Sequence, residues 1–186
     1  MRDVLSNSTG KGWFAWAAIT GRPYGSFVLS TRFDDYPDMI GAQMKAAASS
    51  EWAALAATAE GVLAHPAPSV LGEVIAVTGE PAAPKQFTIV TRAVIDHSAL
   101  AAAVSWSTRV AEHVTKVTGI SATVITSAAG QMFGMSWLSS VDTPQELDKM
   151  NSIGTDAGYL EMLAEAGTDK LFQQGTTDRM LLAKLP

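Results

Sequence analysis

The chain has 186 residues, 47% of them hydrophobic and 17% charged, which supports a sizeable core and excludes a disordered tail. Its 13 basic and 18 acidic residues give a net charge of -5, and no run of Lys and Arg offers the basic patch that nucleic-acid binding needs. The absence of cysteine removes disulfides, thiolate nucleophiles, Cys-ligated zinc and iron–sulfur clusters, and no stretch reaches the roughly 18 apolar residues of a membrane span. With no basic segment and apolar signal core at the N-terminus, a cytoplasmic protein without nucleic-acid or membrane partners is expected.

In chain order, the first half opens with aromatic-rich strands containing Trp13, Phe14, Trp16 and Phe27, joined at the aromatic-Gly pair Tyr24-Gly25. Asp34, Asp35 and Asp38 surround Tyr36-Pro37 just before a long helix, where capping and the positive end of the helix dipole explain carboxylates better than general-base chemistry. His65, followed by Pro66, sits where the chain leaves that helix. Val77 to Gln86, with Gly79, Pro81 and Pro84 between two strand-like runs, marks a connection.

The second half is clearer. Phe87 to Ile95 is β-branched and alternates, with Phe87, Ile89, Thr91 and Ala93 on one face and Thr88, Val90, Arg92 and Val94 on the other. Asp96 and Ser98 offer capping oxygens for a helix whose apolar set is Leu100, Ala103, Val104, Ala111, Val114 and Val117, closed by Gly119. Strands are then expected over Ile120 to Ser127 and Met132 to Ser140, with a turn at Ala128 to Gly130 and with Phe133, Met135 and Trp137 on one face. Asp142-Thr-Pro-Gln-Glu146 starts a helical stretch interrupted around Ile153-Gly154-Thr155, and Arg179 to Leu185 is a last strand.

The order β-α-β-β-α-β is that of a ferredoxin-like sandwich, an antiparallel sheet with both helices on one face. The first half supplies a second copy. Arg2 and Arg109, Gly12 and Gly119, Pro37 and Pro144, and Trp52 and Tyr159 recur at one constant offset. Tyr24-Gly25 and Phe133-Gly134, then Leu29-Ser30-Thr31 and Leu138-Ser139-Ser140, recur at a slightly longer one, as do Leu63 and Phe172. Lys85 to Thr108 has no counterpart ahead of Met1, so the first copy lacks a first strand and most of a first helix. Either it evolved without them, or the chain is a shortened version of a complete duplicated protein; a missing strand would leave an edge that invites a homo-oligomer.

The expected organisation is therefore an incomplete first repeat (β-β-α-β) at 1–78, a linker at 79–86 and a complete second repeat at 87–186. On this element order and duplication, the chain resembles the dimeric α/β-barrel superfamily. The resemblance implies an α+β fold of two ferredoxin-like repeats packed sheet to sheet as a pseudo-dimeric α/β barrel. That superfamily holds cofactor-independent monooxygenases, haem-degrading and haem-peroxidase relatives and muconolactone-type isomerases, and fold alone does not choose among them.

The residues narrow the chemistry. His65, His97 and His113 have neither H-x₃-H nor H-E-x-x-H spacing, so no metal site and no cofactor are expected; His113 reads as a solvated helix residue and His97 as part of a cap. No G-x-G-x-x-G or phosphate loop is present, and Ser139 and Ser140 lack a nucleophile-elbow context. Aromatic residues on the strands are the better lead: Trp13, Trp16, Phe27, Phe133 and Trp137 are the expected ligand-binding set, lining a barrel interior for a small apolar or aromatic ligand. Tyr24 as a proton donor and Arg92 as an anion or carbonyl contact are the candidate catalytic residues, with Arg32 and Arg179 also near strand ends. Two functions fit: a small-molecule enzyme or binding protein of cofactor-independent monooxygenase type, and a non-catalytic assembly protein with a packed barrel.

Overall fold

The computed structural model describes residues 1–59, 69–80 and 84–186. Its elements in chain order are α1 (Arg2–Thr9), β1 (Phe14–Thr20), β2 (Phe27–Ser30), α2 (Tyr36–Ala47), α3 (Ser50–Ala59) and β3 (Leu71–Thr78). There follow β4 (Phe87–Val94), α4 (Leu100–Thr118), β5 (Ala122–Ala129), β6 (Gly134–Val141), α5 (Pro144–Asn151), α6 (Ala157–Thr168) and β7 (Asp178–Lys184). Short 3₁₀ turns at His97–Ala99 and Ser152–Thr155 lead into α4 and α6. The fold is α+β, with antiparallel strand pairing in each of its parts. No described helix is long and apolar enough to cross a membrane.

The chain divides into two compact units. One comprises the described parts of Met1–Ala17, Gly25–Pro68 and Lys184–Pro186, and the other those of Ala18–Tyr24 and Ser69–Ala183.

In the first unit, Trp16 pairs across the hairpin with Val28, and its indole Nε1–H donates to Ser30 Oγ at 2.9 Å. Thr9, buried at the end of α1, donates to the Leu5 carbonyl at 2.6 Å and accepts the Trp13 Nε1–H at 3.0 Å, so one hydroxyl fixes both the helix end and the indole. The aspartate cluster resolves as a cap: Asp35 accepts the Asp38 backbone N–H at 2.8 Å, and Asp38 pairs with Lys11 at 2.6 Å. The long helix expected here is two helices, α2 and α3, separated at Ala48 and Ser49.

In the second unit the antiparallel order is β7-β4-β6-β5-β3. Because strand side chains alternate, Ile89, Thr91, Met135, Trp137, Ser139 and Val124 share one face, which α4 and α6 cover, and Thr88, Val90, Arg92 and Ser136 share the other. Helix α4 presents Ala103, Trp106, Val110, Ala111 and Val114 to the sheet, all buried and at i, i+3, i+4 spacing. Each fully buried large aliphatic contributes about 1.5–3 kcal/mol.

Gly119 ends α4 with φ 70°, as its position predicted. Leu100 and Val117, expected on the buried stripe, are exposed; the stripe is centred on Trp106 and Val110 instead. Phe133 is not in a strand. It stands at φ 58° in the turn between β5, which runs on to Ala129, and β6. The start of α5 is a full capping box, Thr143 Oγ1 accepting the Glu146 N–H while the Glu146 carboxylate accepts the Thr143 N–H.

Candidate active site

The principal cavity of the second unit lies between the helix-covered face of its sheet and helices α4 and α6, with a volume of about 820 Å³. Alternation on β4 and β6 aims Ile89, Thr91, Trp137 and Ser139 into it, and α4 contributes Trp106, Val110 and Val114. Tyr159, Leu163 and Ala166 of α6 form the opposite wall.

Three rings dominate its lining. Trp106 and Trp137 meet edge to face, with centroids 6.0 Å apart and planes at 86°, and Phe172 completes the set at 5.3 Å from Trp106 and 5.6 Å from Trp137. Such edge-to-face contacts are each worth about 0.5–1.5 kcal/mol beyond burial, so the rings form a rigid wall. Trp106 is locked further by donating its Nε1–H to the Met162 carbonyl at 2.8 Å, which ties α4 to α6. Among the described residues, Trp137 Nε1 is buried with no hydrogen-bond partner, and so is Ser107 Oγ on α4. An orphaned donor of this kind costs about 1–3 kcal/mol, unusual in a core that serves packing alone.

The outer end is polar. Gln173, Gln174, Gly175 and Thr177 line it together with two cations, Lys170 and Arg179. Lys170 sits at φ 50°, in the left-handed region that a lysine seldom adopts, just after α6. Arg179 donates from Nη2 to Asn151 Oδ1 at 3.1 Å. Asp96, also on the lining, accepts from Ser98 Oγ and the Ser98 N–H, and these two bonds hold its carboxyl below the usual range. The cavity thus joins an aromatic wall to a hydroxyl, amide and cationic end, a lining suited to a flat ligand with oxygen substituents.

Of the residues the sequence singled out, Trp137, Ser139 and Arg179 line this cavity, whereas Trp13, Trp16, Phe27, Phe133, Tyr24 and Arg92 do not. Trp13 and Trp16 belong to the first unit, each with its indole N–H satisfied. Phe27 begins β2 and is half exposed. Phe133 lines a smaller cavity of about 510 Å³, beside Leu100 and Val104. Tyr24 is fully exposed in the connection between β1 and β2, and Arg92 lies on the other face of β4. His113 is not a solvated residue: mostly buried, its Nε2 lies 2.6 Å from Asp156 Oδ1. His65 lies outside the described residues. Among the described residues no three His, Cys, Asp or Glu side chains gather at one point.

Sequence reasoning did not assign Trp106, Tyr159 or Phe172 to a site, and it met Tyr159 and Phe172 as matched positions of the repeat. Trp106 was legible: with Ala103, Val110 and Val114 it keeps the helical period of α4. Phe172 follows α6 in a segment whose Ile95↔Phe172 bridge comes from a contact distant in sequence, which no local period reports.

No protein-family model and no curated protein matches the chain. Solved structures do. The chain is similar over its whole length to an anthrone oxidase-like protein, with a TM-score of 0.70, 12% identity and 82% of that protein covered. Over 99% of its length it is similar to a candidate monooxygenase from Fusobacterium nucleatum, with a TM-score of 0.64, 10% identity and 82% of that chain covered. A major regulator of staphylococcal pathogenesis matches 99% of the chain with a TM-score of 0.59 and 11% identity, and 91% of it is covered. At such identities the likeness speaks for the fold alone.

Proposed function

We propose that the protein is a small-molecule enzyme of monooxygenase type whose site is the cavity between sheet and helices, and that its substrate is a flat, oxygen-substituted aromatic compound. The observation that carries this is the edge-to-face wall of Trp106, Trp137 and Phe172 along a cavity of about 820 Å³. An aromatic slab stacks on such a wall, while Thr91, Ser139 and the Lys170–Arg179 end offer its oxygens hydrogen bonds and positive charge. The two neighbours described as an anthrone oxidase-like protein and a candidate monooxygenase lend the reaction class.

The same reading takes the fold as two ferredoxin-like repeats. The order β7-β4-β6-β5 is that of a βαββαβ unit numbered 4-1-3-2, and β1, β2 and β3 represent the first repeat. Its support is the pairing of β3 with β5, a last strand of one repeat beside a second strand of the other.

The test is binding followed by turnover. Hydroxylated tricyclic aromatics are titrated against intrinsic tryptophan fluorescence and melting temperature, for the native protein and for Trp137→Leu. A binder at a hundred times its dissociation constant stabilises the native state by about 2.7 kcal/mol. Quenching and stabilisation that Trp137→Leu abolishes are expected, with oxygen uptake on mixing. A panel without any binder would overturn the site, and binding without oxygen uptake would overturn the reaction.

A further inference from the structure

Arg92 of β4 has Asp178 of β7 and Ser136 of β6 as its direct cross-strand partners. Paired residues project to the same side, so all three share the sheet face opposite the aromatic cavity. Most of the Arg92 side chain is withdrawn from solvent, yet no hydrogen bond or ion pair reaches its guanidinium among the described residues. The carboxylate opposite is already engaged: Arg22 Nη2 lies 2.6 Å from Asp178 Oδ2. Arg22 is held there by its neighbour, because Gly21, at φ 79°, packs directly on the Arg179 carbonyl and the Met180 Cα.

Two guanidinium groups therefore stand against one carboxylate. Arginine keeps its proton even where burial disfavours the charge, so the excess charge calls for an acceptor. We infer that Arg92, with Arg22 and the Ser136 hydroxyl, forms an oxyanion-binding site on this face of the sheet, which takes the carboxylate or phosphate group of a small molecule. Planar guanidinium forks suit both groups, since each offers paired oxygens. The electrostatics agree: burial pushes the Arg92 guanidinium below its ordinary value, the charge of Arg22 acts in the same direction, and Asp178 opposes them without cancelling either. The sheet itself separates this site from the aromatic cavity.

Inorganic phosphate and sodium acetate, each matched in ionic strength by chloride, are titrated while melting temperature is followed. The native protein is expected to gain at least about 2 °C over chloride with one or both anions. Phosphate alone identifies a phosphate group, acetate alone a carboxylate, and both a general oxyanion site. Arg92→Met abolishes the gain, Arg22→Gln weakens it and Trp137→Leu keeps it, which separates this site from the aromatic one. A response no larger than that to chloride, or one unchanged in both arginine variants, overturns the proposal. Arg22→Gln alters an exposed side chain, so it decides the matter even where Arg92→Met does not fold.

Discussion

His113 Nε2 stands 2.6 Å from Asp156 Oδ1, and the same oxygen accepts the Tyr159 N–H at 2.8 Å to cap α6. One carboxylate thereby joins α4 to the helix that carries Tyr159 and Leu163 into the cavity. The hydrogen bond from His113, then that from Tyr159, holds the Asp156 carboxyl below its ordinary 3.8. A carboxyl depressed in the folded state stabilises it at pH values above the unfolded pKa, and that contribution disappears as pH falls through the folded one.

Asp156→Asn, which keeps a capping oxygen and loses the charge, is therefore expected to melt about 2–4 °C below the native protein near pH 6. The gap should close as pH falls through the depressed pKa of the folded carboxyl. A melting series from pH 7 to pH 2 checks this, and a gap that stays constant across it would rule out the charge as the cause. Both side chains are partly exposed, so added salt should narrow the gap as well.

The two tryptophans at the centre of the wall differ in one bond. Trp106 Nε1–H has the Met162 carbonyl, whereas Trp137 Nε1–H has no partner among the described residues. Trp106→Phe and Trp137→Phe remove similar ring area, so their difference in urea unfolding isolates the hydrogen bond and the unmade one. Trp106→Phe is expected to be the more destabilising by about 1 kcal/mol or more. Equal losses would mean that the Trp137 donor is satisfied in solution, by water or by a bound molecule.

How far these features were legible follows from the range over which each is determined. The strand Phe87–Val94, the close of α4 at Gly119 and the capping box of Thr143 and Glu146 are set by neighbours within a few residues, and alternation or turn chemistry reports them. The cavity is not of that kind. Trp106, Trp137 and Phe172 come from a helix, a strand and a loop, and only the packing of α4 and α6 on the sheet brings them together. Period also fixes which strand residues share a face without saying which face helices cover, so Trp137 was assigned to the side toward a second sheet when it lies under α4. Arg92 was visible as an alternating strand cation, but the occupation of Asp178 by Arg22 depends on a loop far away in sequence.

The capping box gives a local control. Thr143 Oγ1 accepts the Glu146 N–H at 3.3 Å, at an exposed helix start away from the cavity lining. Thr143→Ala is expected to cost about 1 kcal/mol and to leave ligand binding unchanged. Urea unfolding and the fluorescence titration measure the two separately. A change in binding affinity would show that α5 transmits strain to Met150 and Ile153, which lie on the cavity.

Gly21 and Gly25 flank Arg22 and Tyr24 in the same connection, and both have positive φ, 79° and 85°. They differ in what a Cβ would meet. At Gly25 there is open space, whereas at Gly21 the new atom would collide with the Arg179 carbonyl and the Met180 backbone. Gly25→Ala therefore bears only the left-handed backbone cost, about 1 kcal/mol. Gly21→Ala bears that cost and must also lift the loop off β7, for a total of about 3 kcal/mol or more. Lifting the loop carries Arg22 away from Asp178, which then becomes free to pair with Arg92. The oxyanion response of the native protein should thus be weakened in Gly21→Ala, as in Arg22→Gln, and kept in Gly25→Ala, a contrast that backbone strain alone would not produce.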